Sequence, residues 1–261
     1  TLVKHFLDTW ENIMTNKILK LLATIFIVLS FSTISTKAAD GWEIAIGLKA
    51  HDGDVDAEGS ETERESRDNN LAPAAGIQGD ELTFTTHSKQ IEVVSGFLEV
   101  VGQHGWAGLT VGVDLIPGSA TLGSKSRTDD DLDEDQTATS ATYTAKAEIE
   151  DITTIYFDPT LYVGDTGLGI YGRFGGTTMM LNTLETLESG VNSASYPNER
   201  MFGLVQGYGV KWKHSSGFLV KVEYAETNFK NITLDSVTGN NNRIEADLDY
   251  EETAVAIGWQ F

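Results

Sequence analysis

The closing segment of the chain alternates without a break. Thr253, Val255, Ile257, Trp259 and Phe261 share one parity, and Glu252, Ala254, Ala256, Gly258 and Gln260 share the other. Successive residues of a β-strand point to opposite faces, so this segment reads as a strand with one apolar and one small or polar side. The same period recurs upstream, while helical periodicity is scarce after residue 40. Trp42, Ile44, Ile46 and Leu48 oppose Glu43, Ala45, Gly47 and Lys49, and Leu109, Val111, Val113 and Leu115 oppose Thr110, Gly112 and Asp114. Leu168, Ile170 and Phe174 oppose Tyr171 and Arg173. Phe202, Leu204, Tyr208, Val210 and Trp212 oppose Gly203, Gly207, Gly209, Lys211 and Lys213, and Phe218, Val220, Val222 and Tyr224 oppose Lys221 and Glu223.

The segments 81–101 and 168–181 are less regular, whereas one long segment keeps its phase throughout. Residues 143–163 keep a single apolar parity through Tyr143, Ala147, Ile149, Ile155, Phe157 and Leu161, which leaves Lys146, Glu148 and Asp158 on the other face. In residues 81–101, Val94, Leu98 and Val100 fit one parity but Ile91 and Val93 fit the other, which predicts a bulge between them. Short glycine-containing connections stand at 102–105, 164–167 and 215–217, and long polar ones at 51–80, 128–138, 182–200 and 236–243. Strict alternation of short turns with long loops gives an even number of antiparallel strands, namely eight.

A soluble β-sandwich also has alternating strands. Two features favour a closed barrel with its apolar face outward. The apolar faces end in aromatic residues near the short turns: Trp42, Trp106, Trp212, Phe218, Trp259 and Phe261. Such a girdle marks a lipid–water boundary. The opposite faces combine glycine and alanine with charges, as a narrow lumen requires, and Arg173, Lys211 and Lys221 are expected to pair there with Asp158 and Glu223. Lipid offers no partner to backbone N–H and C=O groups, so only an edgeless barrel crosses it as β-structure. The expected fold is all-β: a closed antiparallel up-and-down transmembrane β-barrel of eight strands.

One block, residues 21–31, is predominantly apolar; Lys17 and Lys20 precede it and a small polar stretch follows. Residues 14–38 therefore read as a secretory signal peptide, cut after Ala38, with 1–13 an upstream extension and 39–261 the barrel. The block is about half the roughly 20 residues that a transmembrane helix needs. A net charge of −21 argues against nucleic acid, and the absence of cysteine excludes disulfides, thiolate metal sites and a cysteine nucleophile.

Signal peptide, amphipathic strands, alternating turns and loops, and the terminal Trp259-Gln260-Phe261 together resemble the small outer-membrane barrels of Gram-negative bacteria, of the outer-membrane protein A and X type. Ala254 and Ala256 depart from that family's closing pattern, which has a polar residue and a glycine there. The resemblance implies residence in the cell outer membrane as a monomer, in contact with the lipid bilayer and lipopolysaccharide. It also implies that the outer-membrane assembly machinery reads the terminal strand through Val255, Ile257, Trp259 and Phe261.

For function, the residues point to a structural or surface-interaction role, with a small porin for polar solutes as the alternative. At eight strands side chains fill the interior. His51, His87, His104 and His214 read as solvated loop residues rather than catalytic bases, so no enzyme and no cofactor is expected. Acids crowd the long connections: residues 51–68 hold eight acidic and two basic side chains, and Asp129, Asp130, Asp131, Asp133, Glu134 and Asp135 crowd a second. Asp52, Asp54, Asp56 and Glu63 have the spacing of a calcium-binding loop, but Ala57 replaces its required glycine. A solvated, self-repelling loop is the expected state.

Overall fold

A computed structural model describes residues 41–63, 81–132, 138–186, 195–237 and 243–261. The upstream extension and signal peptide, and residues 64–80, 133–137, 187–194 and 238–242, lie outside the described residues. The strands are β1 (Trp42–Glu63), β2 (Glu81–His104), β3 (Ala107–Leu132), β4 (Ala138–Tyr162), β5 (Leu168–Thr186), β6 (Glu199–Lys213), β7 (Phe218–Phe229), β8 (Ile232–Asp235) and β9 (Arg243–Gln260). Each pairs antiparallel with its neighbours, and β1 pairs with β9 to close the sheet. β8 continues β7: the partners on β9 run from Asn228–Asp249 to Ile232–Ala246 with one extra residue at the junction. The nine segments thus form eight staves of one closed antiparallel barrel, as the alternation predicts.

The pairing also sets the stagger. Followed once around the wall from Ile46, it passes Leu98, Val113, Ile155, Gly176, Leu204, Asn228 and Asp249 and returns to Asp56, ten residues further along β1. Strands in such barrels tilt by about 40° to the axis. With a rise of roughly 3.3 Å per residue, each residue then climbs about 2.5 Å. The 22 residues of β1 reach about twice the height of a lipid-facing band of roughly 25 Å.

Much of what reads as loop is therefore wall. Residues 51–63, 128–132, 182–186 and 199–200 lie in strands. This overturns the calcium-loop spacing too. Asp52, Asp54 and Asp56 project from one face of extended β1, about 6–7 Å apart along the strand, and cannot wrap one ion. No metal-holding group of acids and histidines occurs among the described residues.

Outward residues at the lower level are apolar: Ile44, Leu98, Val111, Phe157, Ile170, Val210, Val222 and Ile257 are exposed, with Trp42, Trp106, Trp212, Phe218, Trp259 and Phe261 at the short-turn end. Higher up the code reverses. Asp52, Asp54 and Asp56 face outward, while Val55, Ile91, Leu122, Ile149, Met179, Met201, Phe229 and Leu248 pack together inside.

This reversal corrects two readings, the bulge expected in 81–101 and the unbroken phase expected in 143–163. β1 and β2 pair without interruption, so there is no bulge near Ile91 and Val93. Both simply point inward, Ile91 into the upper apolar layer. The bulge lies on β4, where Asp151 has φ of 54° and the pairing with β5 shifts between Glu150 and Thr153. Ile149 below 3% exposure and Ile155 at 63% therefore lie on opposite faces despite their shared parity. Lys146 and Glu148 fall on the outer wall rather than in the lumen, since their neighbours Ala147 and Ile149 face the core.

Inside, aromatic rings lie flat on glycines of the neighbouring strands. A Cβ on Gly112 would come within 2.5 Å of the Tyr156 ring, and one on Gly209 equally close to that of Tyr171. Gly112→Val should displace Tyr156 and cost about 1–3 kcal/mol by overpacking. Outward Gly176→Val, whose Cβ would have no neighbour nearer than 3.8 Å, should be neutral. Denaturant unfolding of the refolded barrel measures both.

Candidate functional site in the barrel lumen

The inward faces of six strands bring charged side chains together at the level of the outer apolar band. Arg173 on β5 is the hub. Its Nε and Nη2 donate to Asp158 Oδ1 and Oδ2 at 3.0 and 2.8 Å, and Nη1 donates to Glu223. The guanidinium carbon lies 3.8 Å from the centre of the Tyr156 ring, a cation–π contact on the side not used for hydrogen bonds. Lys221 pairs with Glu99 and reaches Asp158 at 3.5 Å. Lys49 donates to Glu223 at 2.8 Å and pairs with Asp114. The hydroxyls of Tyr156 and Tyr171 donate to Glu99 and Glu223, each at 2.7 Å.

Of the five residues expected in this lumen, Asp158, Arg173, Lys221 and Glu223 are in mutual contact. Lys211 stands apart. It donates to Thr110 at 3.1 Å and lies 5.2 Å from the Tyr162 ring centre, with no ion pair among the described residues. Lys49, Glu99, Asp114, Tyr156 and Tyr171 also belong to the cluster. All five share the inward parity of their strands, which is the signal that finds them. On β2 the reversed code of Ile91 and Val93 hides it.

A second group sits just above. His51 on β1 contacts Glu252 of β9 through Nδ1 at 2.6 Å and Ser95 of β2 through Nε2 at 2.7 Å. Far from being a solvated loop residue, His51 is buried in the wall's inner face. The distances are those of a serine–histidine–acid relay. However, Ser95 is fully buried, and the adjoining cavity of about 30 Å³ has room for roughly two water molecules. A substrate carbonyl has no access to Ser95. His87 contacts the Leu122 carbonyl at 2.9 Å through Nε2, while His104 and His214 lie exposed at short turns.

Val255, Ile257, Trp259 and Phe261 line the outer face of the closing strand, where Phe261 N–H donates to the Ile44 carbonyl at 2.8 Å. On the upper outer wall, Lys146 donates to Glu148 and so holds that carboxyl below the usual carboxylate range.

No protein-family model matches the chain, and no curated protein matches it. Among solved structures it is similar to Ail, the attachment invasion locus protein of Yersinia pestis. That likeness has 11% identity and a TM-score of 0.34, over 85% of this chain and 100% of the other. It is similar to the outer membrane protein OprG from Pseudomonas aeruginosa at 11% identity and a TM-score of 0.41, over 82% and 97% of the two chains. A third similar structure is the outer membrane protease OmpT from Escherichia coli, with 14% identity and a TM-score of 0.40 over 87% and 100%. At such identities and scores, the strand pairing described above is what establishes the fold.

Removing Arg173 would leave Asp158 and Glu223 buried beside one cation fewer. Arg173→Met should destabilise the folded barrel by about 3–5 kcal/mol. Adding Asp158→Asn should return part of the loss, which urea unfolding of the two refolded variants would register.

Proposed function

We propose that the protein is an outer-membrane barrel with a filled lumen and a structural or surface-interaction role, presenting a tall acidic wall above the bilayer. The observation that carries this reading is the pairing of interior and exterior along the wall, sharpest on β1. Where the outside is apolar, the inside is an ion network; where the outside turns acidic, the inside is an apolar core. Both interior layers oppose the passage of solutes. The lower one is held by mutual ion pairs, and the upper one excludes water and ions.

The acidic wall is densest where β1 meets β9. Asp54 faces Glu251, Asp56 faces Asp249 and Glu58 faces Asp247 across the ladder. Like charges directly opposite each other repel. Such a surface suits basic partners, or anionic headgroups such as those of lipopolysaccharide when cations lie between. The lower band contacts the bilayer, and Val255, Ile257, Trp259 and Phe261 form the strand offered to the assembly machinery.

Fractionation and conductance test the reading. The protein should partition with outer membranes, migrate differently on gels before and after boiling, and give no stepwise current in planar bilayers. A persistent step conductance from purified protein would establish the porin alternative instead. Assembly has its own test: Phe261→Ala should lower insertion several-fold more than Phe202→Ala, which removes an outward aromatic at the opposite end of the wall.

A further inference from the structure

Above the apolar band the wall divides. β2 pairs with β3 only from the His104/Ala107 pair up to the Gly96/Leu115 pair. Its ladder with β1 continues to the Glu63/Glu81 pair, and that of β3 with β4 to the Leu132/Ala138 pair. Residues 81–95 of β2 and 116–132 of β3 are therefore strand edges that face each other without a shared ladder. The His87 side chain bridges them, reaching the Leu122 carbonyl at 2.9 Å. Open edges are tolerable here because water, unlike lipid, satisfies their backbone groups.

The two edges differ in what they offer. On β3, Pro117 has no N–H, and the register shifts between Ile116 and Ser119 and again between Thr121 and Gly123. Proline and bulges blunt an edge against further pairing. β2 has neither between residues 81 and 95, where its register with β1 is unshifted. Which groups it presents follows from that ladder. Gln103 N–H donates to the Gly41 carbonyl at 3.2 Å, so the odd-numbered residues of β2 are turned to β1 and the even-numbered ones away from it. Thr86, Ser88, Gln90, Glu92 and Val94 thus direct both N–H and C=O to the free edge, and no strand takes them among the described residues. Residues 85–90 are exposed on both faces.

We propose that this edge of β2 takes up, as an added strand, an extended segment of a partner protein in which basic residues alternate with apolar ones. Main-chain hydrogen bonds to the edge attach the segment, and the two faces select its side chains. Outside, Thr86, Ser88, Gln90 and Glu92 stand beside Glu58, Asp56, Asp54 and Asp52 of β1, which favours basic residues. Inside, Ile91 and Val93 favour apolar ones. A second copy of the chain is a poorer occupant, since it would bring two acidic outer faces together. The inference rests on the surface-interaction reading, which puts this end of the wall outside the cell. Binding is measured on the isolated barrel, so it fails independently of fractionation and conductance.

The probe is a short fluorescent peptide of alternating lysine and valine, titrated into the refolded barrel in detergent and followed by anisotropy. Methylating its lysine amides removes the N–H groups that would face β2, and methylating its valine amides removes those that face away. The first form should bind about tenfold or more weakly than the unmodified peptide, because several main-chain hydrogen bonds are lost. The second should keep nearly the full affinity. Gln90→Pro removes one N–H from the free edge and none from the ladder with β1, so it should weaken binding and leave the thermal midpoint unchanged. Should that variant fail to fold, the two methylated peptides decide alone. No binding of the unmodified peptide would overturn the proposal. Full affinity of the lysine-methylated peptide or of Gln90→Pro, or equal loss from both methylations, would overturn it as well and leave attraction to the acidic wall as the whole contact. A dimer in detergent that Gln90→Pro dissociates would assign the edge to a second copy and overturn it too.

Discussion

Everything in this barrel depends on the ladder between β1 and β9. It runs from Ala45–Gln260 to Thr62–Arg243 and removes the edges that an open sheet would expose. In lipid an unpaired backbone N–H or C=O has no substitute partner, so closure is obligatory at the level of the apolar band. Closure with eight staves and a stagger of ten leaves a narrow interior, and that narrowness selects small residues along the inner seam. A Cβ on Gly47 would stand 2.2 Å from the Ile257 carbonyl and 2.5 Å from the Phe97 ring. Glycine at Gly47 is thus a condition of the seam.

The second organising constraint is the change of surroundings along each stave. In the band, lipid outside demands apolar side chains, and the polar ones turn inward and pair. Above the band, water outside accepts Asp52, Asp54 and Asp56, and the apolar residues move inside, as in any soluble barrel. The backbone phase of β1 stays constant while the hydrophobic code inverts around His51. Alternation alone cannot distinguish such an inversion from a bulge, because each shifts the apolar residues to the other parity.

This ambiguity explains what could be read from the chain and what could not. Strand number, closure and the lower outward faces were legible, because lipid imposes one rule on every stave. On β2 the inversion imitates a bulge at Ile91 and Val93, although the register there is continuous. On β4 inversion and a true bulge at Asp151 cancel, so Ile149 and Ile155 share a parity while facing opposite ways. The upper half of β1 looks like loop because its outer face is acidic and its inner face includes the small residues Gly53, Ala57 and Gly59. In the lumen, Arg173 and Glu223 were visible as charges of inward parity. The contact between His51, Ser95 and Glu252 was not, since it joins residues as far as 201 positions apart and follows only from the stagger.

The inversion also locates the interior polar groups in the vertical order of the barrel. Lys49, Asp114, Arg173 and Glu223 lie where the outside is apolar, so they are shielded from water on every side and must neutralise one another. The apolar core begins at Val55 and Ile91, where the outer wall already meets water. His51, Ser95 and Glu252 occupy the tier between, which belongs fully to neither regime. A polar tier capped by an apolar one cannot borrow partners from solvent, and it completes its electrostatics locally, Asp114 with Lys49 and Glu252 with His51. For that reason the contacts of His51 with Glu252 and Ser95, which join β1 to both of its neighbours, stand where the two halves of the barrel meet.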